Sequence, residues 1–164
     1  MEREDIPLYH EWINNPTIFG RYNPFVQMAM EDLSVRPTDI VGFIIEKKDK
    51  TRIGLITHFI VKARPYELTE IGYFLVPRER KKGYCTEAVN ILVDFLFLSK
   101  QLVRIQAITV DKNIGSQKVL EKAGFTKEGI VRKIMFNRGI WVNGALYSIL
   151  REEWIEPRIL KIEE

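Results

Sequence analysis

The chain has one cysteine, Cys85, and two histidines, His10 and His58. A single thiol excludes an intrachain disulfide framework and a cysteine-based zinc site, and two scattered histidines make no metal site. No metal is therefore expected. Long apolar runs are missing too. The densest stretch, 88–98, is broken by Asn90 and Asp94, far short of the roughly 18 apolar residues of a membrane-spanning helix. The first residues, Met1-Glu2-Arg3-Glu4-Asp5, are charged and lack the apolar segment of a secretion signal. The expectation is a cytoplasmic protein with no membrane partner. Repeats, low-complexity tracts and long linkers are also absent, so one domain over 1–164 is expected, large enough for one substantial core.

Charge of one sign is scarce as well. Lys and Arg number 25 against 22 Asp and Glu, a net charge of +3. That is not the concentrated basic face of a nucleic-acid binder, so no direct nucleic-acid partner is expected. One cluster is local: Arg78, Arg80, Lys81 and Lys82, with Glu79 among them.

What is present is periodic. Asp5 as cap and Pro7 in the first turn predict a helix over 5–13, with Ile6, Leu8, Tyr9, Trp12 and Ile13 as its apolar side. Residues 14–24 read as a loop, and a second helix is predicted over 26–33. β-Branched and aromatic runs at 40–46 and 52–62, joined by Lys47-Lys48-Asp49-Lys50, predict a hairpin. A strand over 68–76 ends at Pro77, which cannot extend a ladder. Helical spacing of Val89, Leu92, Val93, Leu96 and Phe97 predicts a helix over 86–98. A strand over 103–110 and a helix over 114–123, stopped by Gly124, follow. Strands over 125–136 and 140–154 flank the turn Asn137-Arg138-Gly139. The order ααβββαβαββ is a mixed α/β (α+β) fold, with helices on the faces of a mostly antiparallel sheet.

Strand 68–76 runs into the basic loop, and the loop runs straight into a helix. Unpaired N–H groups at a helix N-terminus, the helix dipole and an open Gly83 together favour a phosphate or pyrophosphate. Arg80, Lys81 and Lys82 add charge. Neither a Walker P-loop nor a Rossmann fingerprint is present.

Arg80-Lys81-Lys82-Gly83-Tyr84-Cys85, continuing into Thr86-Glu87-Ala88, resembles the pyrophosphate motif of the GNAT N-acetyltransferases. Asn113-Ile114-Gly115-Ser116 and Leu120-Glu121-Lys122-Ala123-Gly124-Phe125 resemble the RimJ/RimL-like branch, which acetylates ribosomal proteins at their N-termini. So do the Gly72-Tyr73-Phe74-Leu75 strand and the terminal strand 147–150. The resemblance implies the GNAT acyl-CoA N-acyltransferase fold, with splayed strands forming a cleft for acetyl-CoA. It implies that main-chain groups of Phe74, Leu75 and Val76 pair with pantetheine. The amides of Lys81, Lys82, Gly83, Tyr84, Cys85 and Thr86 would hold pyrophosphate, with Arg80, Lys81 and Lys82 supplying charge, and Asn113 and Ser116 would border the pantetheine arm. The amine would attack the thioester directly.

The chain departs from that pattern at three places. Cys85 stands where Gly or Ala is usual, as a small residue rather than a nucleophile. Leu120 stands where many members keep a tyrosine that protonates the leaving thiolate, which leaves Ser116 as the candidate donor. The family's first strand is expected to be short or missing. Glu70 is the candidate base, and Glu70 and Tyr147 are candidate acceptor contacts. Partners are thus acetyl-CoA and an amine acceptor, expected to be a protein N-terminus. A polyamine or aminoglycoside is the alternative, with Glu31, Asp32, Glu67 and Glu70 as candidate carboxylates. A non-catalytic CoA-binding module is the further alternative. The chain is expected to be a monomer or homodimer.

Overall fold

In the computed structural model, residues 3–23, 27–34, 40–63, 66–155 and 157–159 are described. A 3-10 turn, Arg3–Asp5, leads into α1 (Ile6–Asn14), followed by α2 (Pro16–Phe19) and α3 (Met30–Ser34). Strands β1 (Ile40–Glu46), β2 (Arg52–Ala63) and β3 (Tyr66–Leu75) come next, then α4 (Tyr84–Ser99), β4 (Arg104–Val110) and α5 (Ile114–Lys122). The hairpin of β5 (Thr126–Asn137) and β6 (Ile140–Leu150) completes the sheet.

The six strands lie in the order β1-β2-β3-β4-β6-β5. Every neighbouring pair is antiparallel except β3–β4. The apolar stripe of α4 (Val89, Leu92, Val93, Leu96 and Phe97) packs with Leu120 of α5 against Ile71, Ile105, Ala107, Ala145, Tyr147 and Ile149 on one sheet face. Burying each such aliphatic side chain contributes about 1.5–3 kcal/mol. On the opposite face Trp12 of α1 packs against Ile53, Leu55 and Phe74. No helix among the described residues is long and apolar enough to cross a membrane.

Three boundaries differ from the sequence expectation. The loop expected over 14–24 contains a helix, α2, capped by Asn15, whose side chain accepts from the amides of Thr17 and Ile18. The helix expected from residue 26 is only Met30–Ser34; residue 26 itself lies outside the described residues, and 27–29 are not helical. The last strand stops at Leu150 rather than residue 154, because 151–153 form a turn in which Trp154 N–H returns to Leu150 O.

One topological fact positions the site. β3 and β4 pair at only two positions, Thr69–Ile105 and Glu70–Gln106. Beyond them β3 continues along β2 to Leu75, and β4 continues along β6 to Val110. The two parallel strands therefore open from a vertex at Glu70 and Gln106.

Candidate active site

Above the vertex the splay forms a cleft of about 970 Å³. Its lining comes from β3, β4, the N-terminal turns of α4 and α5, and α2 with the turn after it. The α4 end is built for an anion. Gly83 is the N-cap at φ 90°, and no side chain caps the helix. The first intrahelical bond runs from Glu87 N to Gly83 O at 3.1 Å, so the amides of Tyr84, Cys85 and Thr86 have no partner within the helix. A Cβ built on Gly83 would meet nothing within 4 Å. Lys81, also left-handed at φ 64°, turns the loop so that its amides follow the same concave path. These features fit a pyrophosphate.

The basic side chains divide by role. Arg80 does not point its charge into the cradle: Nε donates to Leu75 O at 2.9 Å and an Nη to Ile18 O at 2.7 Å. It ties the end of β3 to α2, and Gly20 lies against its guanidinium. Lys82 Nζ pairs with Glu79 at 3.0 Å. Lys81 lines the cleft, as do Lys118 and Lys122 on α5, which sequence reasoning missed although their spacing of four puts them on one helix face.

Strand alternation corrects the expected pantetheine contacts. Val76 N donates to Ile53 O at 2.9 Å, and the β2–β3 register places Phe74 opposite Leu55. Main-chain groups of Phe74 and Val76 therefore face β2, while those of Ile71, Tyr73 and Leu75 face the opening. Leu75 O is already taken by Arg80. Leu75 N–H and the main-chain groups of Ile71 and Tyr73 are left to pair with an extended arm in the splay, so of the three expected residues Phe74 and Val76 are the ones turned away.

Asn113 caps α5, accepting from Ser116 N at 3.2 Å, and both residues line the cleft. Ser116 Oγ lies 3.0 Å from the Tyr73 hydroxyl, which also reaches Ser116 O at 3.2 Å. Burial raises the Tyr73 pKa, so the phenol stays neutral and acts as a hydrogen-bonding group. Burial likewise pushes the Cys85 thiol up to about 12, which keeps it protonated and unreactive. Leu120 is fully buried at 0% exposure, a core residue in the place of the usual tyrosine.

Tyr147 is corrected. It is 0% exposed and shares its strand face with Ala145 and Ile149. Its hydroxyl is satisfied by Gln117 at 3.1 Å and Glu121 at 2.9 Å, which takes it out of the acceptor pocket. Glu70 lies at the vertex, on the sheet face away from α4, since its neighbour Ile71 packs into the α4 core. Its Oε2 accepts from Gln106 Nε2 at 2.8 Å. Burial raises its pKa, and the Gln106 bond opposes that rise.

On the same side as Glu70, residues 15–23 cross the splay as a strap. Arg80 holds the strap at Ile18, Phe19 stacks edge-on against Phe74 at 5.3 Å, and Asn137 Nδ2 of β5 donates to Arg21 O at 3.0 Å. Bulges in β5 between Lys127 and Gly129 and between Val131 and Met135 bend that strand, and Met135 joins the lining.

Parallel strands splayed over a glycine-opened helix N-terminus define the fold as that of an acyl-CoA N-acyltransferase. The family model for the acetyltransferase (GNAT) domain matches residues 1–126, and the chain belongs to that family. It is 39% identical over 110 residues to the probable N-acetyltransferase YjcK of Bacillus subtilis (strain 168). The match covers 67% of this chain and 61% of that protein, so the chain spans about three fifths of that curated relative's length. Its fold is similar to spermidine N-acetyltransferase from Vibrio cholerae in complex with CoA and spermine (TM-score 0.81, 21% identity, 95% of both chains). It is equally similar to Mycobacterium smegmatis RimJ in complex with CoA-disulfide (TM-score 0.81, 24% identity, 96% of this chain and 82% of that one).

Proposed function

We propose that the protein transfers the acetyl group of acetyl-CoA to a protein N-terminal α-amine, as a RimJ/RimL-like enzyme. The observation that carries the choice of acceptor is the charge of the cleft. Among the described residues its lining includes Arg21, Arg80, Lys81, Lys118 and Lys122 and no carboxylate. Glu31, Asp32, Glu67 and Glu70, the candidate carboxylates for a polyamine, are not among the lining residues; Glu70 sits below the cleft at the vertex. The phosphates of CoA offset the lysines, but Arg21 sits on the strap, on the acceptor side. A polycation about 7 Å from one such charge loses about 1 kcal/mol at an effective dielectric near 40. An α-amine has a further advantage: its pKa of about 8 leaves a usable neutral fraction at neutral pH, where an alkylamine near 10 has almost none.

In this reading the neutral amine approaches from the strap side and attacks the thioester carbonyl carbon. Glu70 takes the proton from the new C–N bond's nitrogen, directly or through water. The C–S bond breaks as the tetrahedral adduct collapses, and Ser116 Oγ–H donates to the departing sulfur. Tyr73 sets the direction of that donor. Its one proton goes either to Ser116 O, with Ser116 Oγ–H then donating to Tyr73, or to Ser116 Oγ, and in the second arrangement the serine proton is turned into the cleft.

Two measurements test this. With acetyl-CoA and an equimolar mixture of N-terminal peptides and spermidine, peptide acetylation should dominate, and Arg21→Glu should shift product toward spermidine by about tenfold, the effect of about 1.4 kcal/mol. Spermidine as the preferred acceptor of the wild type would reject the α-amine assignment. Tyr73→Phe should lower kcat about fivefold, as expected for one hydrogen bond of about 1 kcal/mol. Its KM for acetyl-CoA should be unchanged, because the contact matters only once the thiolate develops. An altered KM with unchanged kcat would assign Tyr73 to binding instead.

A further inference from the structure

We infer that Gln106, oriented by the Arg104–Glu128 ion pair, is a positioning residue that aims the Glu70 carboxylate at the acceptor amine. The inference rests on the reading of Glu70 as the base. It starts from a row of polar side chains that crosses the sheet on the acceptor side, in a fold whose other face at these strands is apolar.

Gln106 and Glu70 are cross-strand partners at the vertex, the last pairing before β3 and β4 separate. Ile105 and Ala107, on either side of Gln106, point into the α4 core. Gln106 therefore faces the other way, yet it is only 6% exposed. A buried glutamine amide has two orientations of nearly equal shape and opposite polarity. One presents N–H to the Glu70 carboxylate, and the other presents a carbonyl oxygen and repels it. Arg104 removes the choice. Its Nη2 donates to Gln106 Oε1 at 3.2 Å, and a guanidinium can only donate. The amide N–H is thereby turned to Glu70 Oε2, at 2.8 Å.

Arg104 is itself held. Its Nη1 and Nη2 meet the Glu128 carboxylate at 3.1 and 3.2 Å, and Glu128 also accepts from Ser148 Oγ at 2.5 Å. The row Glu70–Gln106–Arg104–Glu128–Ser148 thus links β3, β4, β5 and β6. The guanidinium and Glu128 cancel in charge. An arginine placed directly on Glu70 would depress its pKa by about 1–3 units and weaken it as a base. The interposed amide orients the carboxylate without a full cation beside it. It occupies Oε2 and leaves Oε1, which has no donor among the described residues, to receive a proton. Among the described residues the charged groups on this face are Arg104 and Glu128 in the sheet and Arg21 on the strap across the splay; Phe59, opposite Glu70 on β2, brings none.

The experiment is the pH profile of kcat/KM for the acceptor, in the full chain with acetyl-CoA saturating. Gln106→Met keeps the side-chain length and removes the donor. Its acid limb should move up by about one pH unit, since a hydrogen bond to the charged form is lost. In a Glu70→Gln background the same substitution should cause no further loss, because it acts through Glu70. The paired substitution Arg104→Met with Glu128→Met keeps the donor and the net charge but frees the amide to turn. It should move the limb in the same direction by a smaller amount, which guards against a folding defect of Gln106→Met. An unmoved acid limb in both variants, or a Gln106→Met loss that multiplies with Glu70→Gln, would overturn the inference. Full activity in Glu70→Gln alone would instead remove the base reading beneath it.

Discussion

Gly83→Glu is expected to weaken acetyl-CoA binding by at least about 100-fold, roughly 3 kcal/mol, while leaving the melting temperature near that of the wild type. The two halves of this expectation have separate causes. A Cβ at position 83 meets nothing within 4 Å, so the side chain leaves the backbone without a clash. The backbone at φ 90° is strained for any residue with a Cβ, a cost of about 1–2 kcal/mol. Against it, a carboxylate at the N-terminus of the 16-residue α4 gains up to about 1 kcal/mol from the unpaired amides and the helix dipole. The stabilising contact and the binding defect are the same event. The new carboxylate takes the amides of Tyr84, Cys85 and Thr86 that a pyrophosphate would use, and it repels the phosphates. Gly83→Ala separates the terms: strain without charge, for which a loss of only about fivefold is expected. Calorimetric titration with CoA and a thermal melt of each variant check the prediction. If Gly83→Glu binds CoA within about threefold of the wild type, the α4 N-terminus is not the phosphate seat.

The parts of the site legible in the sequence are those written in local order. A strand, a glycine-bearing turn and an amphipathic helix follow one another from Ile71 to Phe97, and the same local reading places Asn113 as a cap. The contacts that escaped it are long-range. Nothing near Arg80 says that its guanidinium ends on a carbonyl 62 residues earlier, at Ile18. A basic residue in a basic loop reads as a phosphate ligand, and the carbonyls of Leu75 and Ile18 decide otherwise. Gln106 acquires its partner only from the β3–β4 register, which no local pattern encodes.

Two misses had a signal. Asn15-Pro16 is a cap followed by a proline at the first helical position, and it marked α2 inside what otherwise reads as a loop. Tyr147 alternates in phase with Ala145 and Ile149, so strand periodicity alone turns it toward α4 and away from the acceptor. Tyr73 escaped for a different reason. In sequence it is one aromatic in a strand, and its pairing with Ser116 appears only when α5 is laid against the open edge of β3.

Glu70→Gln is expected to lower kcat by about 100- to 1000-fold, the usual contribution of a positioned general base. It should leave the KM for acetyl-CoA unchanged, because Glu70 lies on the strap side of the sheet and the phosphate cradle on the α4 side. The substitution is unusually clean in its effect on folding. Burial raises the Glu70 pKa, with the Gln106 hydrogen bond opposing it. A group whose pKa is raised on folding contributes stability below its unfolded pKa and loses that contribution as pH rises through the folded value. At neutral pH the ionised Glu70 is therefore a net cost to the fold, and a neutral glutamine removes that cost while its carbonyl still accepts from Gln106. Glu70→Gln should melt at or above the wild-type temperature at pH 7, with the difference vanishing in acid. Activity follows the opposite course. On the reading of Glu70 as the base, the wild-type rate should rise with pH as the carboxylate ionises, above the ordinary glutamate range, and Glu70→Gln should lack that limb. A variant that melts higher and turns over within about threefold of the wild type would show that the amine loses its proton without Glu70. Direct attack would then rest on the neutral fraction of the amine alone.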